Sequence, residues 1–201
     1  MPRRTKGFPE RKTVAIVGDG QMERIYFSDL RDTDRPKNLA IYPDFPRKIG
    51  SFMGVLDKAI ELSSGYDTVF ALIDMDKIIQ DKQQAKYEKL KKNTEREGVI
   101  VLENNPCTEI WILLHFLNTG RLFTNCDEVS KQICKPDRIE NYNKSEKFLI
   151  QAGLYRNFRH LIRDAAIPNA KLLEKDRKSK DVLYPRAELF RFFEWYFRQH
   201  P

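Results

Sequence analysis

Two stretches of this chain, Thr13-Val-Ala-Ile-Val17 and Thr68-Val-Phe-Ala-Leu-Ile73, are apolar almost from end to end, and an acid follows each within two residues. A strand with one wet face alternates polar and apolar side chains, whereas an unbroken β-branched and aliphatic run suits a strand covered on both faces. Asn38-Leu-Ala-Ile-Tyr42 and Val99-Ile-Val-Leu102 add two shorter runs. Helical patterns lie between them. Met22, Ile25, Tyr26 and Leu30 recur at helical spacing, as do Ile49, Phe52, Met53, Leu56, Ala59 and Ile60 within residues 48–62. Residues 82–97 are charged and helix-favouring and stop at Gly98; residues 107–117 follow Pro106, a good first-turn residue. Strands alternating with helices imply parallel βαβ units. The expected fold class is therefore α/β, a mostly parallel four-stranded sheet flanked by helices.

Beyond residue 117 the pattern changes. Residues 118–145 are polar and irregular, as a lid or substrate loop would be, and helical spacing returns over 154–173 and 186–199. The expected organisation is a basic tail at 1–12, an α/β domain at 13–150 and a C-terminal helical extension at 151–201 packed on the same domain. A chain of 201 residues, 41% of them hydrophobic, can bury one substantial core, while two separate domains would each be small.

Charge and cysteine usage narrow the partners. The formal net charge is +7, with +4 on residues 1–12 and +5 on residues 156–201, leaving about −2 for the middle. Basic ends around a more acidic centre suit a polyanion such as DNA or RNA, although a solvated tail and ordinary helix surfaces would look the same. The longest apolar stretch, residues 110–117, is interrupted by His115 and is far too short to span a bilayer. No apolar segment follows the basic N-terminus as a secretory signal requires. The three cysteines, Cys107, Cys126 and Cys134, are odd in number and form no CxxC pair. The expectation is a reducing cytoplasm, with neither a disulfide framework nor a zinc ribbon.

Ligands collect at the carboxyl ends of parallel strands. There the first run offers Asp19, with Glu23 one turn on, and the third offers Asp74 and Asp76. The fourth offers Glu103, Asn104 and Asn105, with Glu109 opening the next helix. Acids crowded at one sheet edge repel one another unless a cation sits among them, and hard oxygen donors favour Mg²⁺ or Mn²⁺. Each acid also has a plainer reading. Asp after a strand is a common helix cap, and a lone DxD serves turns equally well. Two acidic sites after two wholly apolar strands are harder to reach by chance. Gly18-Asp-Gly20 is no dinucleotide fingerprint, because Glu23 stands where the third glycine belongs. The chain contains no P-loop, HExxH or G-x-S-x-G motif.

Three segments together resemble the RloB-like family, which is grouped with Toprim domains and includes AbiLii-type abortive-infection proteins. Val17-Gly-Asp-Gly-Gln-Met-Glu23-Arg-Ile-Tyr-Phe27 is similar to its strand-end EGxxTExxYF signature. Phe70-Ala-Leu-Ile-Asp74-Met-Asp76 is similar to its strand ending in DxD, and Asn105-Pro-Cys107-Thr-Glu109-Ile-Trp111-Ile-Leu-Leu-His115-Phe116 to its NPCFExWLLLHF stretch. Tyr142-Asn-Lys144 resembles a later YxK. The resemblance implies a Toprim-like sheet, Mg²⁺-dependent strand scission and a role in defence against phage. It also implies an ATPase partner encoded nearby. Carried over, Asp19 acts as general acid/base or metal ligand, Asp74 and Asp76 hold the metal, and Glu23 is the second acid. Asp19 stands where the family has Glu, Met22 where it has Thr, and Thr108 where it has Phe. The shorter Asp19 carboxylate keeps open a weakly catalytic member that binds or regulates.

Around this core, Glu109 serves either the metal or the helix dipole. Lys144 either meets a scissile phosphate or is a solvated loop lysine. His115 is either a hydrogen-bonded core histidine or a base, and Asn105 and Tyr142 are lesser candidates. Arg156, Arg159, Arg163 and Lys171 recur near helical spacing and could track a nucleic-acid backbone. Phe190, Phe192, Phe193, Trp195, Tyr196 and Phe197 cover most of a helix circumference, enough for one face to meet a partner or second copy in a homo-oligomer. A phosphohydrolase of the haloacid-dehalogenase type also uses DxD after a strand. In that class the motif usually ends an early strand of the domain.

Overall fold

The computed structural model describes residues 11–46, 51–177 and 183–200. Most of the basic tail, and residues 48–50 at the start of the second expected helix, lie outside the described residues. The first half of the chain alternates as the hydrophobic runs demand: β1 (Lys12–Val17), α1 (Gln21–Asp34), β2 (Leu39–Asp44), α2 (Phe52–Ser63), β3 (Thr68–Asp74), α3 (Asp76–Gln80), α4 (Gln84–Arg96) and β4 (Ile100–Asn105). Then follow α5 (Glu109–Leu113), α6 (Cys126–Ile133), α7 (Glu146–Ala152), α8 (Leu154–Phe158), a π-helical turn (Ile162–Ala166), α9 (Ile167–Asp176), β5 (Arg186–Ala187) and α10 (Leu189–Gln199).

The strands lie in the order β2-β1-β3-β4-β5, with β1 to β4 parallel and β5 antiparallel to β4. Both faces of the sheet are covered, which accounts for the absence of alternation. Val14, Ile16, Phe70, Leu72 and Leu102 share one core with α1, α5 and α10, while Ala15, Val17, Val69, Ala71, Ile73 and Val101 share the other with α2 and α4. Adjacent side chains on a strand point to opposite faces, so each run must be apolar at both parities. Among the described residues, no helix is long and apolar enough to cross a membrane.

The structure corrects several expectations. The sheet has a fifth strand, a two-residue pairing of Asn104 with Ala187 and Asn105 with Arg186, too short to leave a periodic trace in the sequence. The helix expected over 107–117 is regular only from Glu109 to Leu113. The region expected as loop at 118–145 holds α6, capped by the Asn125 side chain, which accepts from the Glu128 N–H at 3.1 Å. The helix expected over 154–173 is divided among α8, the π-helical turn and α9. The aromatic breadth of α10 belongs to the protein's own core. Phe190, Phe192, Phe193 and Tyr196 are buried, Trp195 and Phe197 pack against the same cluster, and Phe193 stacks on Trp111 at 5.1 Å.

Candidate metal centre

The strand order reverses between β1 and β3: β1 leads outward to β2, and the chain then crosses back to place β3 on the other side of β1. A crevice opens at such a switch point, outside the carboxyl ends of the two strands. A cavity of about 250 Å³ lies there, and Asp19, Asp74, Asp76, Lys77, Cys126 and Lys144 are among its lining residues. The acids after β1 and those after β3 are thus brought together although 51 positions separate Glu23 from Asp74.

Local packing explains how each is held. A Cβ on Gly18 would lie 2.6 Å from Glu23 Cβ, so only glycine lets the first turn of α1 fold back over the end of β1. Asp19 accepts from the Ser51 N–H at 3.0 Å, at the start of α2, while Gly20 is the residue that precedes α1. The capping role of Asp19 is therefore exercised on α2. Asp74 accepts from both the backbone N–H (2.8 Å) and the hydroxyl (3.0 Å) of Thr108. The Pro106 carbonyl accepts from the N–H groups of Met75 and Asp76, each at 2.9 Å, so the DxD loop is stapled to the start of α5. Asp76 accepts from the adjacent Lys77 N–H at 2.6 Å.

The electrostatics are those of crowded acids. Burial, then the Glu109 charge, pushes the Glu23 carboxyl from 4.5 up to about 7. Burial, followed by Glu23 and Glu109, holds Asp74 well above the ordinary carboxylate range. Lys144 answers part of that charge: its Nζ lies 2.7 Å from Glu109 Oε1, with its side chain 48% exposed. Burial lowers the Lys144 ammonium, but the attraction of Glu109, with Asp74 and Glu23 behind it, outweighs this and the net direction is up. Tyr142 sits on the same carboxylate, its hydroxyl 3.4 Å from Glu109 Oε1. Glu109 is therefore spent on Lys144 and Tyr142, and neither it nor Glu23 lines the cavity.

Other sequence candidates lie elsewhere. His115 is buried and its Nδ1 meets the Trp111 carbonyl at 2.9 Å; burial depresses it to about 4, so it is a neutral core histidine away from the cavity. The Asn105 side chain donates to the Tyr184 carbonyl at 2.8 Å and braces the C-terminal segment. Glu103 accepts from Tyr87 at 2.9 Å and Lys91 at 2.6 Å and pairs with Arg186, which makes it structural. The cationic stripe is balanced within the fold. Arg156 pairs with Asp29, Arg159 with Asp34 and Lys171 with Glu194, while Arg163 lies 3.9 Å above the Phe197 ring.

Two features escaped the sequence. Thr108, conspicuous only as a departure from Phe, is the residue that anchors Asp74. The sequence argued against a disulfide framework and gave no sign of a single bond, yet Cys107 and Cys126 are joined, their Cα atoms 5.7 Å apart. Parity and CxxC spacing report only local pairs, and this one spans 19 residues that the fold brings together. Cys134 is free and donates to the Tyr142 carbonyl at 3.1 Å.

The donor set fits a hard divalent cation. Oxygen donors dominate the strand ends, crowding and burial penalise the charged forms of Glu23 and Asp74 in a way that a cation would relieve, and, among the described residues, Asn104 Oδ1, next to Asp74 in the sheet register, is buried without a hydrogen-bond partner. Among the described residues, no three of Asp19, Glu23, Asp74 and Asp76 hold donor atoms within 4.8 Å of one another; Cys107, Glu109 and Cys126 do. That spacing suits Mg²⁺, which retains several waters and takes one or two carboxylates with substrate phosphate oxygens, better than a closed protein cage.

No curated protein and no solved structure matches the chain. A family model described as RloB-like protein matches residues 14–191 and so spans nearly the whole sheet and the carboxylate crevice, ending in the first turn of α10. On that match, which covers well over half of the sequence, this protein belongs to the RloB-like family.

Proposed function

We propose that this protein is a Mg²⁺-dependent endonuclease of the Toprim type, cleaving phosphodiester bonds in DNA or RNA. One observation carries the reading: acids from the ends of β1 and β3 converge at the switch point of the sheet, beside a cavity that also receives Lys144. In this reading Asp74 and Asp76, with Asp19, hold the ion. A bound Mg²⁺ would polarise a phosphoryl oxygen and lower the pKa of a water. Thr108 keeps Asp74 aimed, through its N–H and hydroxyl. Glu23 holds or releases a proton at neutral pH. Lys144 Nζ supplies positive charge where the phosphate gains negative charge in the transition state. The role implied is an effector in defence against phage, in the cytoplasm, with a nearby-encoded ATPase as partner.

A second reading, a nucleic-acid-binding or regulatory subunit with little turnover, is favoured by Asp19. Its short carboxylate is engaged by the Ser51 N–H and stands where the family carries the longer Glu. The test incubates purified protein with supercoiled DNA and with single-stranded RNA in Mg²⁺, Mn²⁺ or EDTA. Cleavage is expected with either metal, and Asp74→Ala and Asp76→Ala should abolish it while circular dichroism stays unchanged. Cleavage retained in a folded Asp74→Ala protein overturns the assignment; binding without turnover in both metals selects the regulatory reading.

A further inference from the structure

We propose that the Cys107–Cys126 pair is a redox-modifiable site, a reversible covalent strap across the carboxylate crevice that small dithiols open. Its position argues for more than a staple. Cys107 immediately precedes Thr108, the anchor of Asp74, and Cys126 is the first residue of α6. The bond therefore ties the segment that aims Asp74 directly to the start of α6, closing a loop of 19 residues. Cys126 Sγ lies 2.9 Å from Glu109 Oε2 and 3.0 Å from Lys144 Nζ, so it touches both members of the ion pair beside the site. Bonded to Cys107, this sulfur has no proton to donate and accepts from Lys144 Nζ. Cys126 lines the cavity, whereas Cys107 is 1% exposed and is not part of its lining. A thiol entering from solvent thus meets Cys126 first.

The exchange balances without a further reagent. One thiolate of the dithiol attacks Cys126 Sγ, forming a mixed disulfide and releasing Cys107 as a thiolate that takes up a proton. The second thiol of the reagent then attacks its own sulfur in that mixed disulfide and releases Cys126. Two protein thiols and one cyclic disulfide result; the protein gains two electrons and two protons. A disulfide oxidant such as glutathione disulfide reverses the process. With the strap open, the Cys107-Thr108-Glu109 segment is held by its hydrogen bonds and by the Glu109–Lys144 pair. Outer groups that orient metal-binding carboxylates are worth 10–100-fold in affinity, so reduction is expected to weaken Mn²⁺ binding by about tenfold.

The consequence for metal binding rests on the functional reading above; the strap itself does not. Two preparations of the full chain, oxidised with glutathione disulfide and reduced with a dithiol, are compared natively. After the dithiol is removed, alkylation in denaturant read by mass spectrometry should label only Cys134 in the first and all three cysteines in the second. Hydrogen exchange over residues 107–126 should be faster in the reduced protein, and free Mn²⁺ measured by electron paramagnetic resonance should show the weaker affinity. Cys126→Ser should behave as the reduced protein whatever the redox state. A bond that survives native dithiol treatment, or exchange and Mn²⁺ affinity that are the same in both preparations, overturns the proposal. Redox-dependent exchange with no Mn²⁺ binding in either preparation supports the strap and sinks the metal reading instead.

Discussion

Replacing Glu23 by Gln keeps the shape of the side chain and removes its charge. Glu23 is 6% exposed, and burial, then the Glu109 charge, raises its carboxyl from 4.5 to about 7. One pH unit corresponds to about 1.4 kcal/mol, so the ionised form weakens the metal-free fold by about 3 kcal/mol. The folded state binds this proton more tightly than the unfolded state. Its contribution is therefore fully present below about 4.5 and is lost as the pH rises through about 7. Glutamine carries no such dependence, and its introduction also removes the charge that raises Asp74 most. In EDTA, Glu23→Gln should gain less than about 1 kcal/mol over the parent at pH 5 and about 3 kcal/mol at pH 8. For a chain of this size that larger gain raises Tm by roughly 6–12 °C. Urea denaturation followed by circular dichroism at the two pH values measures both differences. Saturating Mg²⁺ should narrow the gap at pH 8 by stabilising the parent more than the variant. Equal stabilisation at pH 5 and pH 8 would refute the claim that Glu23 is a crowded, buried acid.

Thr108→Val removes the hydroxyl that Asp74 accepts from and leaves the backbone N–H; Mn²⁺ affinity measured by calorimetry should fall about 10–100-fold, as for other groups that orient metal ligands. Lys144→Met should slow Mg²⁺-dependent cleavage by about 10²–10³-fold with partial recovery in Lys144→Arg, whereas unchanged initial rates would make Lys144 a solvated loop residue. Because Arg156 and Arg159 already face Asp29 and Asp34, the double Arg156→Ala, Arg159→Ala protein should bind DNA with the parent's affinity and salt slope. A slope reduced by about two would return these residues to the nucleic-acid interface.

What the sequence alone determined about this protein follows from short-range pattern. Side chains of Thr68–Asp74 must serve two faces of a covered strand, so the run had to be apolar at every position, and its acid had to fall at the strand's end. The same reasoning located β1, Asp19 and Glu23, and the site at the carboxyl edge of the sheet. Tertiary structure alone decided which groups meet there. Thr108 reaches Asp74 across 34 residues, Lys144 reaches Glu109 across 35, and Cys107 joins Cys126 across 19. None of these contacts has a period, because each depends on how α5, α6 and the loop before α7 pack against β3 and β4. The basic stripe marks the same limit: Arg156, Arg159 and Lys171 look free in a linear sequence, and only the fold supplies Asp29, Asp34 and Glu194 to neutralise them.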